Sequence, residues 1–581
     1  MKKQTLKTAK RISSAVLAAM LVFTAAGCSK QEETPSQAAS SGASSLSDKW
    51  TGEIATITVG GGAGSANILS KSTWFTDYLE EKLGIKLEMY EGTDASSVDA
   101  WLASGDVPDF FRVEDKKQAD SAVKGKLVAN WDLYKDKLPN LYTNDHYTKV
   151  LQFCHEAYGG SDNGMYALQS NIGKNEKINI CPYIRWDLYE KLGKPKISTL
   201  EDYLTVLKKM QDLNPKNEGG EKVYGLSLFP EWDSYTCAMA TYVSELYGRD
   251  WEYVNPLVGV PADNDGPIQS ILDDDSDYYR VLKFFYKANQ MGILDPDSVS
   301  QKWDSLSQKY TDGRVLSTVW SWAVGGYDTP AHTNADSFTG YAPVWASDLK
   351  ITSYPDTVTG ASDRLYLMSA NPKDRDAVLR FLNWYFSYDG QDILKNGPQG
   401  GIWDVDSSGK RYVTDKGKEI LKNNGELPGG GTLGDVSNLF ADGPMTDQTI
   451  NPSTNQTMSY GYWDSFVKYN TDTKLIKDWS SNNKGVLTDY EFGKANNQLI
   501  KRSIAHSMMP IMPDDLASKQ KSIGEKIKPA SWKMIYAKND ADFNAQWEKL
   551  KSDCKTLGID DVTNWIKTQF ETCVEEAKKY E

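Results

Sequence analysis

Two α/β lobes, each a mixed sheet flanked by helices, are what this 581-residue sequence predicts, on three observations. The chain is too long for one ordinary domain, and its apolar and aromatic residues, 40% and 11% of the total, suffice for at least two cores. Runs of β-branched residues alternate with amphipathic helical faces from residue 54 onward. There is no internal repeat, and the single low-complexity tract lies near the start.

The first residues carry Lys2, Lys3, Lys7, Lys10 and Arg11, followed by an uncharged run from Ile12 to Gly27. That run is too short and too poorly flanked for a permanent span and predicts a cleaved secretory signal over residues 1–27. Ala25-Ala26-Gly27-Cys28 resembles a bacterial lipobox, with Ala25 where Leu is usual. It implies that Cys28 becomes a lipidated, palmitate-bearing N-terminus; the alternative is an ordinary signal with a chance cysteine. Residues 28–49, mostly Ser, Ala, Gln and Glu, bury almost nothing and predict a flexible tether with a reach of roughly 25 Å.

Loss of residues 1–27 removes five positive charges and takes the formal charge from -14 to -19, which argues against nucleic acid as a partner. No later apolar stretch approaches bilayer thickness, leaving the lipid as the sole membrane attachment. Cys154, Cys181, Cys237, Cys554 and Cys573 are odd in number and lack CxxC spacing, so a disulfide framework is not expected. Cys554 and Cys573 could pair, or all five could act as small buried thiols. His146, His155, His332 and His506 form no ligand pattern, which disfavours zinc.

Folded structure is expected from Ile54-Ala55-Thr56-Ile57-Thr58-Val59, a strand followed by the glycine-rich turn Gly60 to Gly64. No Gly-Lys-Ser/Thr follows, so nucleotide binding is disfavoured and a tight βα turn is the reading. Phe75, Tyr78, Leu79, Lys82 and Leu83 make a helical face closed by Gly84, and Ile85 to Met89 alternates as a strand. A helix around Val98 to Ala103 precedes Pro108, after which the chain re-enters the sheet; Asp109 reads as a turn or cap residue before an acid catalyst. Ser198 and Glu201 predict a capping box for a helix lined by Tyr203, Leu204, Leu207 and Met210. Tyr278, Val281, Leu282, Phe285 and Ala288 predict another, closed by Gly292, and Asn371-Pro372 the start of a third lined by Val378, Phe381, Leu382 and Tyr385.

Leu102-Ala103-Ser104-Gly105-Asp106-Val107-Pro108-Asp109 resembles the signature of family 1 extracellular solute-binding proteins, the receptor subunits of ATP-binding-cassette importers. Collinear segments extend the resemblance to the long lipoprotein branch of that family. They are Gly125 to Val128, Leu138-Pro139-Asn140, Gly164 to Leu168, Ile184 to Gly193, Gly292 to Asp297, Asp312 to Val315, Asn371-Pro372 and Trp547 to Gly558. The resemblance implies a periplasmic-binding-protein type II fold with a ligand cleft between lobes. It also implies delivery of a captured oligosaccharide to a permease by a monomer anchored on the outer face of a cell membrane; the lipobox, the polar tether and the two-lobed body together favour a Gram-positive setting. The expected lobes are residues 50–170 with 353–405, and 171–352 with 406–581. Crossings are expected near Leu168 to Gly173, Thr352 to Gly360 and Trp403 to Gly409.

Some relatives carry a calcium loop where this chain has Asp212 to Glu221. Here Lys216 falls at a ligand position and Pro215 stiffens the turn, so bound calcium is disfavoured and no cofactor is expected. The eighteen tryptophans are the better signal, because several stand beside turn residues. Aromatic faces suit the weakly apolar C–H surface of sugar rings, while neighbouring polar side chains take the hydroxyls. Trp320 and Trp322 rank first by resemblance and are expected to alternate on one strand face, followed by Trp403 and Trp232; core packing is the competing reading for each. Gln399 and Asp404, beside Trp403, are candidate hydroxyl partners. Arg185 could anchor a carboxylate or hydroxyls, or pair with Asp187. A peptide or other non-sugar receptor on the same fold, a surface polysaccharide-degrading enzyme and a ligand-sensing partner of a membrane kinase are the rival functions.

Overall fold

A computed structural model describes residues 49–580 except 62–65, 91–94, 253, 354–355, 361–363 and 440–442. The signal 1–27, Cys28, the tether apart from Lys49, and most of the glycine-rich turn therefore lie outside the described residues.

The first lobe is built on the strand Ala55–Gly60, where Ile57 and Val59 face the core. It pairs in parallel with Ile85–Met89 on one side and Phe110–Val113 on the other. Leu365–Met368 adds antiparallel to the latter, and Leu168–Gln169 closes the sheet. The connecting helix Trp74–Leu83 starts at a capping box on Thr73 and stops at Gly84, whose φ of 61° is the left-handed conformation a helix end favours in glycine. Asp109 is buried and cross-links strands: its carboxylate accepts from Thr58 N at 2.8 Å and Thr58 Oγ1 at 2.9 Å, and from Lys373 N at 3.1 Å.

The second lobe centres on Tyr183–Arg185, flanked antiparallel by Ser317–Thr318 and Tyr341–Pro343. One continuous core runs from Ile178 to Ala577. Asp277–Gln290 lies in it with the long C-terminal helices Asp514–Ile535, Asp540–Thr556 and Ile559–Ala577.

Two helix starts differ from expectation. Ser198 and Glu201 form no capping box: the Asp202 carboxylate accepts from Ser198 N and Thr199 N, while Glu201 grips Arg280 at 2.8 and 2.7 Å. A guanidinium fork within reach outcompetes a local backbone donor. The helix expected at Asn371-Pro372 begins at Arg375, because Asp374 supplies the cap to Ala377 N.

The first two crossings lie side by side, Gly173–Lys174 pairing antiparallel with Asp356–Thr357. Ile172 also bridges Met445. The third crossing and the lobe boundary at 405 require correction. Trp403–Val405 and Arg411–Val413 form a hairpin, and its turn is closed by Asp406, which accepts from Ser408 N and Lys410 N. The following residues stay on the first lobe, where Gly430 O accepts from Trp74 N and Met458 O from Asn396 Nδ2. Only after Trp463 does the chain pass over, and Trp479 then donates to Pro343 O at 2.9 Å in the second lobe. Gly400, Gly401 and Gly409 mark a hairpin, not a change of lobe.

The chain end returns to the first lobe, where the Tyr580 ring meets Phe153 edge-on at 5.4 Å and Lys149 Nζ donates to Tyr580 O. All five described cysteines are buried and unpaired. Among the described residues no helix is long and apolar enough to cross a membrane.

Candidate ligand cleft

A cavity of about 930 Å³ opens between the lobes. One wall is the crossing segment with Asn171, Lys174, Asn175, Lys177 and Asn179; a second comes from first-lobe residues Gln448, Ile450, Thr457 and Tyr462. The third belongs to the second lobe, with Ser321, Trp322, Thr488, Asp489, Tyr490 and Glu491. Amides and hydroxyls dominate this lining, and Trp322 supplies a large aromatic face. Such a surface can stack a ring and hydrogen-bond its substituents in both donor and acceptor senses.

Its lysines are held in fixed pairs. Asp447 lies between Lys177 at 2.9 Å and Lys395 at 3.0 Å. Burial opposes its ionisation, but the two ammoniums outweigh burial and hold the carboxyl well below the usual range. Lys174 pairs with Glu176 at 2.9 Å. Burial pushes the Asp489 carboxyl up, against the Tyr183 hydroxyl that donates to it at 2.8 Å.

Trp322 is 49% exposed and caps an aromatic stack. It stacks on Trp320 at 5.4 Å with the ring planes 29° apart, meets Trp303 at 5.0 Å and stands 6.4 Å from Trp232. The structure thus brings Trp232, Trp320 and Trp322 together, with Trp303 added. Their expected alternation on one strand face does not hold: the strand ends at Thr318, and Ser321–Val324 forms a 3-10 turn that buries Trp320 and exposes Trp322. Trp320 serves as the floor under Trp322, also packed by Tyr242 at 5.4 Å.

Trp403, Gln399, Asp404 and Arg185 do not line this cavity. Trp403 is buried, donates from Nε1 to Gly397 O at 3.0 Å and meets Trp463 edge-on, with the Arg411 guanidinium over both rings. Gln399 Nε2 donates to Asp404 at the hairpin's edge. Arg185, 4% exposed, spends its fork on Asp187 at 2.8 and 3.0 Å and its face on Tyr327, so of its two readings the ion pair is the one formed. The residues the sequence did not single out include the Asn171 to Asn179 run, the wall of Gln448, Thr457 and Tyr462, and Thr488 to Glu491. The spacing of Asn171, Asn175 and Asn179 in a polar run next to an expected crossing is the one local signal that pointed to the first of these.

The Asp212 to Glu221 segment does not fit a calcium ion. Asp212 is paired with Lys208, Glu221 with Arg314 at 3.1 Å, and Asn217 closes the loop by accepting from Glu221 N and donating to Asp312 O. The side-chain oxygens of Asp212, Asn217 and Glu221 are engaged by cations and backbone of the chain itself. Among the described residues no group of three or more His, Cys, Asp or Glu side chains is placed to hold a metal.

No protein-family profile matches the chain. Lipoprotein LipO of Bacillus subtilis is 25% identical over 250 residues, 41% of this chain and 45% of LipO. The fructooligosaccharide ABC transporter substrate-binding protein FusA of Streptococcus pneumoniae is 21% identical over 249 residues, 40% of this chain and 44% of FusA. The chain thus spans under half the length of the curated relatives it matches. Solved structures align almost end to end. An HMO-binding ABC-transporter-associated solute-binding protein of Bifidobacterium longum infantis gives a TM-score of 0.57 at 19% identity, covering 89% of this chain and 98% of that one. FusA of Streptococcus pneumoniae in complex with kestose gives 0.57 at 14%, covering 90% and 100%. Alginate-binding protein AlgQ2 without calcium ion gives 0.56 at 14%, covering 90% and 99%. At these identities the likeness is one of fold, and this chain has the two-lobed α/β fold of the solute-binding proteins of ABC transporters.

Proposed function

We propose that this protein captures an oligosaccharide between its lobes and delivers it to the permease of an ABC importer, without chemical turnover. The observation that carries the reading is Trp322, exposed on the wall of a cleft whose lining is mostly amides and hydroxyls. Stacking supplies apolar contact with a ring, and the polar lining supplies orientation. The names of FusA, of the HMO-binding protein and of AlgQ2 each specify a saccharide or polysaccharide ligand, which supports the same class here. Closure is a hinge motion about the paired crossing segments Gly173–Lys174 and Asp356–Thr357 and the later passage after Trp463. In this reading Cys28 carries a lipid that keeps a monomeric receptor on the outer face of a single-membrane cell, and its flexible tether lets the body reach the permease.

Calorimetry of the folded chain against neutral oligosaccharides of differing linkage tests the claim. Saturable binding of at least one, with no release of reducing ends on prolonged incubation, is expected. Failure of every sugar together with tight peptide binding would overturn it. Cys28→Ala should shift the protein from the membrane fraction to the medium while its ligand affinity stays unchanged.

A further inference from the structure

The charge arrangement of the cleft narrows the ligand further, and this step rests on the oligosaccharide reading above. Three carboxylates, of Glu176, Asp489 and Glu491, face the cavity against two ammoniums, of Lys174 and Lys177. Among the described residues no arginine lines it. Neither ammonium is uncommitted: Lys174 is bound to Glu176, and Lys177 to Asp447, with its charge also above the Tyr462 ring at 5.6 Å. The helix Asp489–Ala495 begins at the cavity wall, and a helix start ordinarily attracts anions. Here its own side chains take that role: Asp489 Oδ1 accepts from Tyr490 N at 2.7 Å, and Glu491 accepts from Leu487 N at 2.7 Å and Thr488 N at 3.3 Å.

A ligand carboxylate entering this cleft would meet Asp489 and Glu491 while both lysine ammoniums are already held by carboxylates of the chain itself. A sugar hydroxyl would instead donate to the same oxygens. From this we infer that the cleft selects uncharged glycans and rejects uronate-bearing or sulfated ones, with Asp489 as the discriminating residue. The Tyr183 hydroxyl, at 2.8 Å, fixes the orientation of that carboxylate. Rejection comes from like charge, the usual way a site discriminates against ligands of similar shape.

The test is competition on the intact folded protein between the neutral oligosaccharide that binds best and acidic fragments of equal length, oligogalacturonates and oligomannuronates. Acidic fragments should bind roughly a hundredfold more weakly. Asp489→Asn, which keeps the shape and can accept from Tyr490 N while its amide donates to the Tyr183 hydroxyl oxygen, should narrow that gap about tenfold. Glu491→Gln should narrow it less, and serves in its place if the Asn variant melts early. An acidic fragment binding as tightly as the neutral one, or a gap that both variants leave unchanged, overturns the selectivity while leaving oligosaccharide capture standing. Failure of both neutral and acidic sugars overturns capture itself and the selectivity with it.

Discussion

Two tryptophan-rich sites in this molecule look alike in sequence and differ in what their rings are free to do. Trp322 sits on Trp320 and Trp303 with one face open to the cleft. Trp403 is enclosed by Trp463, Arg411 and its own hydrogen bond to Gly397 O. Both follow turn residues, and both were candidates for ligand stacking on that ground. What separates them is the second neighbour: a ring whose N–H and face are both taken by the protein is architecture, whereas one braced from below and open above is a platform. The comparison predicts opposite consequences for the same substitution.

The largest expected effect is at the enclosed site. Trp403→Ala should cost about 3–5 kcal/mol of folding stability, measured by denaturant titration, because it empties a packed position under Arg411. Whatever fraction remains folded should bind ligand normally; a stable Trp403→Ala variant that has lost binding would erase the distinction. Arg185→Gln should be comparably costly, about 3–5 kcal/mol, since it leaves the buried Asp187 carboxylate without its partner. Its folded fraction should likewise bind, which would separate a structural fork from a ligand anchor.

A pH effect of similar upper size belongs to the same lobe as Trp322. Burial pushes the Asp328 carboxyl up from 3.8 to about 7. Between those values the folded state retains a proton that the unfolded chain has lost. The associated stability is therefore full below about pH 4 and is lost as pH rises toward and through 7, up to about 4 kcal/mol. Asp328→Asn should flatten the stability profile across that window, followed by thermal melting. A variant as steep as the parent would contradict the assignment. Smallest of all is the stability change at the open platform, where Trp322→Ala should move folding by only about 1 kcal/mol.

Much of the fold was legible because local signals and tertiary demands agree there. The strand Ala55–Gly60, the Trp74–Leu83 helix with Gly84 and the Asp277–Gln290 helix follow from periodicity and capping alone. Expectation failed where a competing partner, distant or local, decided the outcome. Glu201 left its capping role for Arg280, 79 residues away, and Asp374 displaced Asn371 as a cap. The lobe boundary failed because glycine marks a sharp turn without saying which surface the next segment packs on. The cleft was half legible: aromatic residues beside turns led to Trp322, but its stacking order and the walls facing it, assembled from residues 171–179 and 448–462, arise only from the crossing of chain segments. Gly173 shows why that crossing is tight. At a φ of 119° it leaves no room for a side chain, since a Cβ would lie 2.5 Å from Thr449 Oγ1.

The most direct measurement is the affinity of Trp322→Ala for the oligosaccharide that the parent protein binds, taken beside its melting temperature. Affinity should fall at least about tenfold while the melting temperature stays within a few degrees of the parent. Parental affinity in a well-folded Trp322→Ala protein would contradict the account, because the open ring would then be neither platform nor part of the site.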